Sequence, residues 1–202
     1  MKNYEMIMQV DEDSRRRKHE MKHHMEMLYA LIHAGEMERA KSYIEKILTD
    51  TVLSGNVTYS TNIVLNCIVG IRLNQAKKEG IAVQCHIHVP DRMPVDEVDL
   101  NILLSNMLDN ALEACMRMEK RQNAYIGLEI RKRGKFLYIE CTNSMAPKEM
   151  VQEGHRTIKK DVKNHGFGLK AMETVAEKYA SIIQIEKGGG RFTVRTNLCL
   201  TE

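Results

Sequence analysis

Asn106 and Asn110 stand one helical turn apart in residues 100–115, LNILLSNMLDNALEAC. On a period of 3.6, Leu100, Leu104, Met107, Ala111 and Cys115 share one face, the stripe expected to enter a core. Asn106, Asn110 and Glu113 fall on another. Asparagine is a poor helix former because its side chain competes for backbone hydrogen bonds, and each one costs roughly half a kcal/mol against alanine. A solvated face would ordinarily carry Lys, Glu or Arg. Two readings stand for the segment: a surface helix with two incidental asparagines, or a rigid row of neutral amide oxygens. The second suits a hard cation such as Mg²⁺ beside phosphates that bring their own charge.

Two further segments carry possible chemistry. Residues 164–169, NHGFGL, place Gly166 and Gly168 two apart just before an amphipathic stretch over 169–179. Glycines at a helix entrance let backbone N–H groups approach a phosphate, and the helix terminus adds partial positive charge. Residues 18–24, KHEMKHH, contain H-E-x-x-H. In a zinc protease, His19 and His23 would ligate the metal and Glu20 would activate its water. That site needs a third protein ligand, and no downstream motif supplies one. Alternatively His19, nearly opposite the Met21, Met25, Leu28, Ile32 seam, faces solvent as a nucleophile with Glu20 as proton acceptor. His24, His33 and His86 read as structural or surface residues.

The N-x-x-x-N-A of Asn106, Asn110 and Ala111 and the H-G-F-G-L of residues 165–169 resemble the N box and G2 box of the GHKL ATP-binding superfamily. That group includes histidine kinases, gyrase-type topoisomerases and MutL-type repair proteins. The wording LLSNMLDNALEA looks most like sensor histidine kinases, especially the peptide quorum-sensing receptors of the accessory-gene-regulator type. The resemblance extends from about residue 15 to about 198, and His19-Glu20-x-x-His23 is similar to the family's H-[DE]-x-x-[NT], with histidine at the last position.

The resemblance implies a sensor histidine kinase core that phosphorylates His19 from ATP and Mg²⁺, then passes the phosphoryl group to an aspartate of a response regulator. Asn110 would ligate Mg²⁺ and Asn106 would help hold the metal–triphosphate cluster. Gyrase-like relatives carry a water-activating glutamate where Asn106 stands, and an amide cannot act as that base, so transfer to a protein acceptor is favoured over hydrolysis. Gly166 and Gly168, with His165 and Leu169 in the same box, would meet the phosphates. Lys159, Lys160 or Lys163 would neutralise charge. The family's adenine segment, D-x-G-x-G, reads here as Asn143-Ser144 followed by Met-Ala-Pro. Asn143 would then accept from the adenine amino group without charge assistance, giving weak ATP affinity. The alternative is a pseudokinase or phosphotransfer scaffold that dimerises and docks a regulator.

The elements around these residues follow from periodicity. Residues 1–50 are helical in character, with Met21, Met25, Leu28 and Ile32 on one seam, Met37, Ala40, Ile44 and Ile47 on another, and a break at 33–36. Such a hairpin is too small to close its own core, and a second copy giving a four-helix bundle is the natural completion. A helix over 60–78 and a strand over 81–89 follow, then the asparagine helix. A hairpin over 124–132 and 136–142, a long mobile loop over 143–164, the glycine-initiated helix and strands over 182–186 and 192–198 complete the chain. The expected fold is α+β: a dimerisation and phosphoacceptor hairpin (1–52), a linker (53–58) and a GHKL-type α/β sandwich with a mixed sheet (59–202).

Composition agrees with that class. At 202 residues, 43% of them apolar, a core can form, and a net charge of +3 is too mild for a nucleic-acid binder. Cysteines 67, 85, 115, 141 and 199 show no C-x-x-C pairing and sit mostly in apolar runs, as buried small hydrophobes of a reducing compartment. No run is long enough to span a bilayer. The expected setting is the cytoplasmic portion of a membrane-bound sensor whose membrane segment is absent from this chain.

Overall fold

Asp96 opens the helix that carries the asparagines. Its carboxylate accepts from the backbone N–H of Val98 at 2.8 Å and Asp99 at 3.1 Å, satisfying donors that a helix start leaves free. The computed structural model describes residues 2–47, 57–119, 123–145 and 166–200. Within them lie α1 (Lys2–His33), α2 (Met37–Ile47), α3 (Ile63–Lys78), β1 (Ala82–His88), α4 (Glu97–Met116), β2 (Tyr125–Arg133), β3 (Phe136–Ser144), α5 (Gly166–Lys178), β4 (Gln184–Gly188) and β5 (Arg191–Cys199). The fold is α+β, and the chain divides into two compact units, Met1–Leu53 and Ser54–Glu202.

The first unit is a helical hairpin. Gly35, at φ +75°, makes the reversal that L side chains resist. The face shared by α1 and α2 carries half-buried His24, Leu28 and Leu31 with buried Ala40, and His24 Nδ1 lies 3.0 Å from the Tyr43 hydroxyl. Of the seam read from the sequence, only Leu28 is covered within the chain; Met21, Met25 and Ile32 are about half exposed. The stripe of α1 that meets α2 runs through residues 24, 28 and 31.

The second unit is a five-stranded mixed sheet in the order β1-β2-β3-β5-β4. β1 runs parallel to β2 and the other pairs are antiparallel. Parallel neighbours need a crossover, and α4 is that crossover. Ile126, Leu128, Ile130, Leu137, Ile139, Cys141, Val194 and Leu198 alternate inward and form one core with Leu65, Leu73, Leu103, Leu104, Met107 and Met172 of the helices. The opposite face is polar: the Tyr138 hydroxyl donates to Glu140 at 2.6 Å, and Arg195 reaches both Glu140 and Glu186.

Three expectations change. β3 continues through Ser144, so Asn143 and Ser144 belong to the strand and pair with Phe192 and Arg191, not to the loop. Ser144 is fixed there because its hydroxyl accepts from Tyr125 N–H at 3.0 Å. The asparagine helix begins earlier, at Glu97, because of its Asp96 cap. Among the cysteines, Cys115 and Cys141 are buried and Cys85 and Cys199 half-buried, but Cys67 is exposed, on the outer side of α3. Residues 146–164 of the expected loop, with Lys159, Lys160 and Lys163, and His165 after them lie outside the described residues.

Candidate functional site

The asparagine face is built by what surrounds it. On the opposite side of α4, Leu100, Leu103, Leu104, Met107, Leu108, Ala111 and Cys115 are all buried and fix the rotation of the helix. Asn106 and Asn110 are left half-buried along one edge. Asp109, between them, is turned to α3, where the Arg72 guanidinium donates to both carboxylate oxygens. The Asp109 carboxylate is therefore engaged, and the edge offers the two amides, with the exposed Glu113 one turn further on.

Asn106 donates from Nδ2 to the Ile102 carbonyl at 2.6 Å, a bond to its own preceding turn. This fixes the carboxamide, and its Oδ1 lies against the first turn of α5. A Cβ on Gly168 would stand 2.6 Å from Asn106 Oδ1 and 3.5 Å from its Cγ. A side chain at 168 would have to displace the Asn106 carboxamide. The sequence pattern places both glycines just before the helix; they are residues within its first turn, Gly166 opening it. Leu169 packs half-buried on the core, while Phe167 between the glycines is 93% exposed. The Asn110 side chain makes no hydrogen bond among the described residues.

A second contact sets how α5 lies along α4. Asp99, buried in the first turn of α4, accepts from Lys178 Nζ at 2.7 Å and from the Tyr179 hydroxyl at 3.0 Å. That hydroxyl in turn accepts from Asp96 N–H at 3.0 Å. The start of α4 thereby holds the end of α5, while Asn106 further along meets the start of α5. The two helices are antiparallel and pinned at both ends. The hydrogen bond that Lys178 donates to Asp99 raises the Lys178 pKa above its ordinary value, and burial, with Asp99 adding to it, raises that of Tyr179. Sequence reasoning missed this cluster. Its one signal was an aspartate directly before Leu100 on the apolar side of a helix, where a charge needs a partner.

Asn143 is 2% exposed and lies on the helix-covered face of β3, two residues after Cys141, whose thiol reaches the Met107 carbonyl at 3.8 Å. Its Nδ2 donates to the Ser144 carbonyl at 2.8 Å. Asn106 and Gly168 are thus in direct contact between α4 and α5, while Asn143 stands on the sheet face that the helices cover. Two thiols are held in the protonated form: burial pushes Cys85 up to about 11 and Cys141 up to about 12.

In the first unit His19 and Glu20 are both exposed. The His19 ring packs edge-to-face on His23, with centroids 4.4 Å apart and an interplanar angle of 81°. Glu20 forms no hydrogen bond with it. Among the described residues no group of three or more His, Cys, Asp or Glu side chains could hold a metal ion, so the third ligand of a zinc protease is missing from them. No described helix is long and apolar enough to cross a membrane.

No curated protein sequence matches the chain significantly. Among solved structures, the nucleotide-free catalytic domain of histidine kinase ThkA is similar at 17% identity, with a TM-score of 0.53, covering 69% of this chain and 92% of that one. Acinetobacter baumannii histidine kinase AdeS is similar at 12% identity, with a TM-score of 0.52, over 86% of this chain and 80% of its own. These likenesses establish the fold. The GHKL domain model matches residues 95–198, a span that holds the asparagine helix, Asn143 and the glycine-started helix, and the chain belongs to the GHKL domain family.

Proposed function

We propose that the chain is the kinase core of a sensor histidine kinase of the accessory-gene-regulator type, with ATP as substrate, Mg²⁺ as its metal and His19 as acceptor. The observation that carries this reading is the contact between the Asn106 carboxamide and Gly168. It brings the amide edge of α4 against the first turn of α5, where free backbone N–H groups suit phosphate oxygens. The donor set fits Mg²⁺·ATP. Asn110 offers an amide oxygen with no partner among the described residues, and the absent Cβ at 168 lets the Asn106 carboxamide sit against the helix entrance. When bound, Mg²⁺ would supply charge neutralisation on the phosphates.

The residues favour transfer over hydrolysis. Asn106 cannot take a proton from water, so the site holds no base there for hydrolytic attack. In transfer, a ring nitrogen of His19 forms the new N–P bond as the P–O bond to the β-phosphate breaks and ADP leaves, and Glu20 beside it takes the ring proton. The phosphoryl group then passes to a response-regulator aspartate. The exposed Met21, Met25 and Ile32 of α1 support assembly as a homodimer through the hairpin, in line with a core too small to close alone. Incubation with γ-labelled ATP and Mg²⁺ tests the reading: the parent labels and His19→Gln does not, whereas equal labelling of the two would refute the acceptor.

One observation favours a second reading. Asn143 is almost fully buried, and its amide group is already bonded to Ser144. Adenine recognition there is neutral and confined, which suits a scaffold that docks a regulator with little turnover of ATP. A scaffold shows no thermal stabilisation by Mg²⁺·ATP, and the kinase does.

A further inference from the structure

His19 and His23 occupy successive turns of one face of α1, both exposed, with ring centroids 4.4 Å apart. Four-residue spacing on a helix puts two imidazoles within reach of one ion. His23 is already oriented for this. Its Nδ1 lies 3.2 Å from Glu26 Oε2, and a carboxylate can only accept, so in the neutral ring the proton sits on Nδ1 and Nε2 carries the lone pair. Lys22 Nζ, 3.6 Å from the other Glu26 oxygen, steadies that carboxylate. An imidazole whose second nitrogen donates to a carboxylate is the arrangement that orients metal-ligating histidines. Imidazole nitrogens select zinc, copper or nickel over magnesium, so Mg²⁺ does not compete for the pair.

We propose that His19 and His23 form an exchangeable two-ligand site for a divalent transition-metal ion such as Zn²⁺, and that its occupancy withdraws His19 from phosphoryl transfer. Water fills the remaining positions, since the described residues hold no third ligand beside the pair. This makes the site a reversible one and neither a structural nor a hydrolytic zinc centre. A ring nitrogen whose lone pair is held by an ion cannot attack phosphorus. The inhibitory half rests on the proposed role of His19 as acceptor; the metal-binding half does not.

The test uses the full chain, stripped of metal, in calorimetric titrations with Zn²⁺ and no nucleotide. The parent binds with one site that His23→Gln and His19→Gln each weaken by about tenfold or more, and Glu26→Gln, which keeps both ligands, weakens less. Labelling by Mg²⁺·ATP is then measured with and without Zn²⁺ in each protein. It falls in step with occupancy in the parent, while the ratio stays near one in His23→Gln, which also controls for zinc acting on the nucleotide. If the parent binds no Zn²⁺, or His23→Gln binds it as tightly, the site is overturned. If binding depends on His23 but labelling ignores occupancy, the inhibitory half is overturned. If binding depends on His23 and the parent never labels, the metal site stands and the kinase reading falls.

Discussion

Asn106 Oδ1 lies where a side chain at position 168 would have to go, a Cβ there standing 2.6 Å away. The oxygen cannot swing aside freely, because the same carboxamide donates to Ile102. Gly168→Ala therefore breaks that bond or lifts the first turn of α5. The expected cost is about 1–3 kcal/mol of stability, read by urea denaturation, with nucleotide binding weakened further than the stability loss explains. A variant with parental stability and binding would remove the steric argument.

Asp99→Ala removes the anchor at the other end of the helix pair. Lys178 is more than half exposed and can rehydrate, so the loss is below that of a fully buried pair, about 1–3 kcal/mol. Tyr179→Phe, which strips the bridge between Asp99 and Asp96 N–H, should cost about 1–2 kcal/mol. Chemical denaturation of both variants measures this.

The same cluster gives a pH dependence. Lys178 holds its proton more tightly folded than at its ordinary value of 10.5, and Tyr179 more tightly than at 10.0. Above those ordinary values the unfolded chain binds fewer protons than the folded one, so stability falls with rising pH. The contribution is complete below about pH 10 and is lost as pH climbs through the folded values. Denaturation midpoints from pH 8 upward should fall less steeply in Asp99→Asn than in the parent.

Asn110→Ala separates binding from folding. The amide has no partner among the described residues, and alanine is the better helix former by roughly half a kcal/mol. The variant should melt at or slightly above the parental temperature while losing Mg²⁺-dependent nucleotide binding and labelling. Unchanged Mg²⁺ dependence would unseat Asn110 as the metal ligand.

Asn143→Asp replaces a neutral acceptor by a charged one. It should tighten ATP binding about tenfold by calorimetry, while placing a carboxylate at a 2% exposed position costs about 1–3 kcal/mol of stability. Tighter binding without a stability cost would mean that the position is more open to solvent than its burial implies.

A Met21→Glu, Met25→Glu double variant tests the hairpin. Both side chains are about half exposed in the single chain, so the substitution should leave the chain folded yet shift it from dimer to monomer in sedimentation analysis. A parent that sediments as a monomer would end the dimer proposal.

Local rules were enough to place the asparagine edge on α4, because five apolar residues at helical spacing fix which face of that helix meets a core. They also gave the strand alternation and the breaks at Gly35 and Gly134, where positive φ is needed. They failed where a residue's meaning depends on a distant partner. Asn143 and Ser144 look like loop residues until Phe192 and Arg191 pair with them, and Asp99 looks like an ordinary first-turn carboxylate until Lys178 and Tyr179 reach it. Gly168 is the sharpest case: as a sequence letter it marked a phosphate approach, and only the packed helices reveal that Asn106 also forbids anything larger. Periodicity is written into neighbouring residues and survives in the sequence, whereas the register between α4 and α5 is set by side chains more than sixty positions apart and exists only once the chain has folded.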